Sequence, residues 1–328
     1  MLVLCYPFVA HAQTVDFPQA EISSGSVRAK LYLPDPERGY YRGSRFDWSG
    51  VIADLRYDNH SYFGVWFKHY DPLLHDAITG PVEEFRSGDA PAGNALGYEQ
   101  ARAGGTFIKI GVGVLRKPDE KPYAFSRAYE IVNHGKWVSR PQRDRVEFRQ
   151  DLDDGAGFAY RYEKTVRLAA NRPELMLEHK LRNTGRRAIE TDVYNHDFYV
   201  IDGQPTGPEI IVGFPFEARA KDDLKGLAEV KRRELVYLRE LQEGQSAAAD
   251  VIGFTESVAD NNIQVENKKS GAGVREIGDR PLTRLHLWSI RTTVCPEAYI
   301  HMKIDPGQEF KWTIRYQFYT LPKAISGK

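Results

Sequence analysis

The 328-residue chain has little cysteine, no excess of either charge and no long hydrophobic run. Of its two cysteines, Cys5 lies in an apolar N-terminal stretch, so a processed chain keeps only Cys295 and an intramolecular disulfide is excluded. Lys+Arg and Asp+Glu both number 45, which removes any bulk electrostatic reason to seek nucleic acid or anionic lipid. The run Leu2–Ala10 is too short to span a bilayer, and no other stretch approaches that length, so no membrane span is expected. No Walker loop, G-x-S-x-G elbow, H-E-x-x-H or C-x-x-C occurs, so none of those chemistries is signalled.

Aromatic residues are plentiful: 18 Tyr, 16 Phe and 5 Trp against 3 Met. Such residues suit pleated, half-buried surfaces, and they also stack on the apolar faces of sugar rings. At the N-terminus the apolar run leads into Ala10-His11-Ala12, a small-x-small pattern before Gln13. Residues 1–12 therefore read as the remnant of a secretory signal peptide, and an exported, periplasmic or extracellular protein is expected. With no composition break or repeat beyond it, residues 13–328 read as a single domain.

Strand signals dominate. Phe158, Tyr160, Tyr162, Val166 and Leu168 alternate with Arg161, Glu163 and Arg167; Trp312, Ile314, Tyr316 and Phe318 alternate with Lys311, Thr313, Arg315 and Gln317. This period of two predicts antiparallel strands with one face on a core. Similar runs cover 145–152, 174–182, 188–200 and 294–304, punctuated by turns such as Asn171-Arg172-Pro173 and Asp305-Pro306-Gly307. An all-β sandwich or barrel is expected. Residues 221–242, with five spaced leucines, fit either an amphipathic helix or a strand. Tyr57-Asp58-Asn59-His60 reads as a hairpin turn rather than a glycosylation site, and Gly111-Val112-Gly113 as structural.

Two strands carry unusual stripes. In 189–198, Glu190, Asp192, Tyr194 and His196 share one face, which must meet water or a cleft rather than the core. In 294–304, Cys295, Glu297, Tyr299, His301 and Lys303 do the same. His179, by contrast, shares a face with Leu175, Leu177 and Leu181 and reads as a satisfied core histidine.

Tyr194-Asn195-His196-Asp197-Phe198 resembles the Asn-His signature of the aldose 1-epimerases, the galactose mutarotases. Val294-Cys295-Pro296-Glu297 resembles the late segment that supplies that family's catalytic carboxylate, and Pro306-Gly307-Gln308 its closing turn. Ser49–Phe63 resembles its opening hairpin, and the order of the motifs agrees over roughly residues 25–320. The resemblance implies a large antiparallel β-sandwich, the galactose mutarotase-like supersandwich, with a cleft on one sheet. It implies His196 as general acid and Glu297 as general base for opening and reclosing a sugar ring, with no metal or organic cofactor. Tyr194, Asn195, Asp192, Glu84, Lys109 and Arg45 would bind substrate, and Arg45 resembles the early arginine of hexose-6-phosphate-type relatives. Where the family carries an Asn-Arg pair, this chain has Glu83-Glu84, either of which could share the base role. His134-Gly135 echoes the family's His-Gly segment, with Lys109 as the alternative in that place. The implied partner is a carbohydrate, a monosaccharide or uronate, handled by a monomer or dimer. Two other readings stay open: a non-catalytic sugar-binding protein, with aromatics such as Trp48 stacking on the ligand, and a polysaccharide lyase in which Lys109 or Arg45 neutralises a uronate.

Overall fold

The computed structural model describes residues 16–87 and 93–322, so the segment read as an export signal lies outside the described residues. The architecture is antiparallel β throughout, and the described residues contain only two short 3-10 turns and no α-helix. Ten strands form one sheet, in the order Ala228–Lys231, Glu234–Tyr237, Ile210–Gly213, Asn262–Asn267, Ala272–Gly278, Glu309–Thr320, Glu174–Asn183, Ala159–Leu168, Arg145–Asp153 and Lys136–Pro141. A six-stranded sheet runs Arg219–Ala220, Ser246–Ile252, Arg284–Ile290, Thr293–Ile304, Ile189–His196 and Val82–Arg86. Single bridges from Tyr199 to Phe63 and to Val294 stitch it to a four-stranded sheet that begins at Gln19.

The alternation seen in the sequence sets the layers. On Glu309–Thr320, Trp312, Tyr316 and Phe318 are buried while Lys311, Arg315 and Gln317 point outward. Their apolar face meets Leu175, Leu177 and Leu181 of one sheet and Val193, Ile300 and Met302 of the other in one continuous core. Burying each such side chain contributes roughly 1.5–3 kcal/mol, which commits the register, because a one-residue slip would turn every one of them outward. The hairpin turn expected at Asp58-Asn59 is present, with φ of 46° and 66°, the conformation of a two-residue type I′ loop.

The ambiguous stretch 221–242 is not a helix. Its leucines serve a hairpin of Ala228–Lys231 and Glu234–Tyr237, with Leu227, Leu235 and Leu241 buried and Leu238 half exposed. The spacing of apolar residues was compatible with both, and the neighbouring strand Ile210–Gly213 decides between them by pairing with Glu234–Tyr237. No helix among the described residues is long and apolar enough to cross a membrane.

The other face of the six-stranded sheet is covered by loops and by the small sheet Thr106–Lys109, Gly113–Arg116 and Ile131–Asn133. A second, largely aromatic cluster fills that space, including Tyr41, Phe46, Trp48, Trp66, Tyr98 and Phe198. Gly111 makes the tight turn inside this cover. Its φ is +77°, and a Cβ there would lie 2.6 Å from Asp47 Oδ1, so only glycine fits.

Candidate active site

Strand Ile189–His196 sends alternate side chains to opposite layers, and this divides the polar residues into two groups. Tyr194 and His196 leave the sheet on the loop-covered side. Asn195 goes the other way and donates to Glu83 Oε1 at 3.2 Å between the two sheets. The same division splits the neighbouring Glu83 and Glu84 on Val82–Arg86. Glu84 joins Tyr194, which donates to it at 2.5 Å, whereas Glu83 bonds His179 Nε2 at 2.8 Å and pairs with Lys164. His179 is thus the satisfied core histidine that its apolar neighbours suggested.

On the loop-covered side lies a pocket of about 250 Å³, lined by Arg45, Asp76, Glu84, Arg86, Phe125, Tyr194, His196, Phe198, Arg284, His286, Trp288, Glu297 and Tyr299. Its floor joins the two residues singled out from sequence. His196 Nε2 is 3.3 Å from Glu297 Oε1, and their side chains are only 5% and 6% exposed. Tyr299 donates to Glu297 Oε2 at 2.8 Å and in turn accepts from Arg86 at 3.0 Å. Rings pack around His196: Phe198 stacks on it at 3.9 Å, while Phe46 and Trp288 meet it edge-on at 5.7 and 5.5 Å. Gly80 backs this arrangement. A Cβ there would lie 2.6 Å from the His196 carbonyl oxygen and 2.3 Å from that of Asp197, so a loop can seat directly on that backbone only because the side chain is absent.

Charge is distributed unevenly. Burial alone would raise Glu84, but Lys109 and Arg45, with hydrogen bonds from Tyr194 and Arg45, outweigh it and hold the carboxyl well below the usual range. Arg45 Nε donates to Glu84 at 2.8 Å, and its other arm pairs with Asp76. Lys109 donates to Glu84 at 3.0 Å and to the Phe85 carbonyl at 2.7 Å. Glu84 is therefore fully occupied as an anchor. Glu297 is different: burial pushes its carboxyl up, and His286, the Tyr299 hydrogen bond and Arg45 offset this only in part. Burial, then Arg45, push His196 well below the ordinary imidazole range. The pair is thus driven toward its neutral form, a carboxylic acid beside a neutral imidazole. Moving one proton across 3.3 Å converts it to carboxylate and imidazolium, so the pair can act as acid and base together.

Of the residues expected from sequence, His196, Glu297, Tyr194, Glu84 and Arg45 line the pocket. Lys109 stands behind Glu84, buried, and does not line it. Asp192 lies further along the strand, bonded to His301 Nδ1 at 2.8 Å on a half-exposed surface. Asn195 faces the inter-sheet layer. Trp48 is buried, with its indole N–H donating to the Gly43 carbonyl at 2.9 Å and its ring against His134, so it offers no face to a ligand. His134-Gly135 forms the turn between Ile131–Asn133 and Lys136–Pro141. Sequence reasoning missed His286, Trp288 and Arg284. The signal was present in the alternation Arg284-Leu-His286-Leu-Trp288, whose polar members all enter the pocket.

By sequence the chain matches no protein-family model and no curated protein. Its structure does have counterparts. It superposes on a GalM/aldose epimerase homologue from C. elegans with a TM-score of 0.57, at 14% identity, over 93% of this chain and 99% of that one. A galactose mutarotase related enzyme from Lactobacillus acidophilus gives 0.55 at 11% identity, covering 94% of this chain and all of the other. A galactose mutarotase-like protein from Clostridium acetobutylicum gives 0.54 at 11% identity, covering 92% and 95%. The chain has the galactose mutarotase-like fold. The motif resemblance and the structural likeness thus point to the same group of proteins, and the identities show a shared fold.

Proposed function

We propose that this protein interconverts the anomers of a free sugar by acid–base ring opening in the pocket floored by His196 and Glu297. The observation that carries the reading is the 3.3 Å approach of His196 Nε2 to Glu297 Oε1 at the base of a small aromatic-walled cavity. At about 250 Å³ the cavity falls just below the roughly 300–1,000 Å³ of drug-sized sites, which suits a single sugar ring. Trp288, partly exposed in the pocket wall, offers an apolar ring for stacking.

In the working form Glu297 is the carboxylate and His196 the imidazolium. Glu297 takes the proton of the anomeric hydroxyl, the O–H electron pair forms the C1=O bond, and the C1–O5 pair leaves to O5, which takes the proton of His196. Rotation about C1–C2 and reversal of each transfer give the other anomer. Glu84, fixed by Arg45, Lys109 and Tyr194, holds the Tyr194 phenol in the pocket wall.

NMR anomer exchange on freshly dissolved hexoses and uronic acids, wild type against Glu297→Gln, tests the reading. Acceleration lost in the variant is expected. No acceleration with any sugar, together with saturable binding, would replace it with a sugar-binding role; an ultraviolet-absorbing unsaturated product would replace it with a lyase.

A further inference from the structure

The pocket contains a second imidazole, built differently from the first. His286 lies on Arg284–Ile290 directly opposite Glu297 in the antiparallel register, so both side chains leave the sheet on the same side. On its other flank His286 stands opposite Asp250 of Ser246–Ile252, and its Nδ1 is 2.7 Å from Asp250 Oδ1. Arg284 holds that same oxygen from Nε at 3.0 Å and from Nη2 at 2.8 Å. An ionised carboxylate only accepts, so Nδ1 carries a proton and Nε2 is the nitrogen left for the pocket. With the contact between Glu297 and His196, the result is a row across four neighbouring strands: Asp250, His286, Glu297, His196. Carboxyl and imidazole alternate along it. The outer half is partly open, with His286 and Asp250 side chains 23% and 25% exposed, while the inner half, 5% and 6% exposed, lies at the pocket floor.

We propose that His286, oriented by Asp250, is a proton-transfer group of this site that works through Glu297. This rests on the anomer-exchange reading above. When Glu297 receives the proton of the sugar hydroxyl, His286, its cross-strand neighbour, accepts it at Nε2 through one bridging water and becomes an imidazolium beside Asp250; on reclosure the proton returns by the same route. The O–H pair becomes the carbonyl bond, the C1–O5 pair goes to O5 with the proton of His196, and nothing is oxidised. The inner pair meets open space only at the pocket floor, so with a sugar seated there the row also gives Glu297 a connection to solvent protons. The charged and titratable groups facing His286 are Asp250 from one neighbouring strand, Glu297 and Tyr299 from the other, and Arg284 from its own. Arg45 and Asp76 line the same pocket from the covering loops, and His196 lies beyond Glu297.

The experiment is NMR anomer exchange across the pH range with wild type, Glu297→Gln, His286→Asn, His286→Gln and Asp250→Asn, each checked by thermal melting. The two His286 variants place an amide where Nδ1 or Nε2 stood, keeping a hydrogen bond but no transferable proton. Both are expected to lose roughly 10²-fold or more in kcat, the usual scale of general acid–base catalysis, with KM nearly unchanged and one limb of the pH–rate profile gone. Asp250→Asn is expected to keep more activity but to displace that limb. Retention of the wild-type rate and profile in either His286 variant, or a rise confined to KM, would overturn the proposal and leave His286 as a binding contact. If a His286 variant does not fold, an unmoved pH profile in Asp250→Asn overturns it equally. An active wild type with an inactive Glu297→Gln and unimpaired His286 variants sinks this inference alone, whereas a wild type that accelerates no sugar sinks the ring-opening reading itself.

Discussion

The protein buries two ionic clusters on opposite sides of one sheet, and the same strands supply both. Between the sheets, Glu83 is held by Lys164, His179 and Asn195, while Asp47 accepts from Ser49 and from Tyr162. On the loop-covered side Glu84 is held by Arg45, Lys109 and Tyr194, and beside it stand His196 and Glu297. The first cluster closes on itself: Lys164 and Glu83 have no exposed side-chain surface. The second opens onto a cavity. Its two central groups are each pushed toward neutrality instead of being locked as an ion pair, and His196 Nδ1 is buried without a hydrogen-bond partner. Buried charge therefore marks a site only where some of its hydrogen-bonding capacity is left unused and faces a space that a ligand can enter.

That contrast can be broken most directly by exchanging function for stability. Glu297→Gln and His196→Asn should each slow anomer exchange by roughly 10²–10⁴-fold while leaving the melting temperature little changed. Glu83→Gln should do the reverse. It leaves the buried Lys164 ammonium with only Asp47 at 3.8 Å and the Ser49 carbonyl, and breaking a buried pair from one side costs up to about 3–5 kcal/mol, read from urea unfolding, with the rate per folded molecule preserved. A rate loss in Glu83→Gln as large as in Glu297→Gln would dissolve the distinction between the clusters.

Acid and base should also separate them. Burial would raise the Glu83 carboxyl, but Lys164 and His179 outweigh it and bring it down to about 2. From the ordinary glutamate value of about 4.3 down to that point the unfolded chain binds more protons, so stability falls as pH falls through this window. Glu297, raised mainly by burial, has the opposite sign: the stability it contributes is present at low pH and is lost as pH rises through its elevated value. Urea melts at a series of pH values should show a flatter acid limb for Glu83→Gln and, separately, a smaller loss on the rising side for Glu297→Gln. The smallest effect belongs to Asp192→Asn. Its partner His301 is half exposed, so the change should cost under about 1 kcal/mol and leave anomer exchange intact; a large rate loss would bring Asp192 into the site.

How much of this was legible before the structure differs residue by residue. The sandwich was readable because its strands keep a strict alternation over eight or more residues, as in Glu309–Thr320. His196 and Glu297 stood out because each rides a polar stripe that an ordinary core strand would not carry. The same alternation places Asn195 on the face opposite His196, yet the motif resemblance drew it into the site; period two was the better guide. Separating Glu83 from Glu84 needs the pairing of Val82–Arg86 with Ile189–His196, which a single sequence does not show. Phe125 reaches the pocket from an irregular loop with no periodicity to read.

The strands Arg284–Ile290 and Thr293–Ile304 are joined by a tight turn, and this one hairpin carries Arg284, His286, Trp288, Glu297 and Tyr299. In the order of folding, that half of the pocket is local: its loop is short and the entropy of closing it is small. His196 and Glu84 come from far earlier in the chain, and the loops that bring them in are long. The molecule therefore assembles its pocket from a half that can zip up by itself and a half that must wait for the sandwich to close. The carboxylate arrives with the hairpin, and its imidazole partner arrives with the rest of the fold.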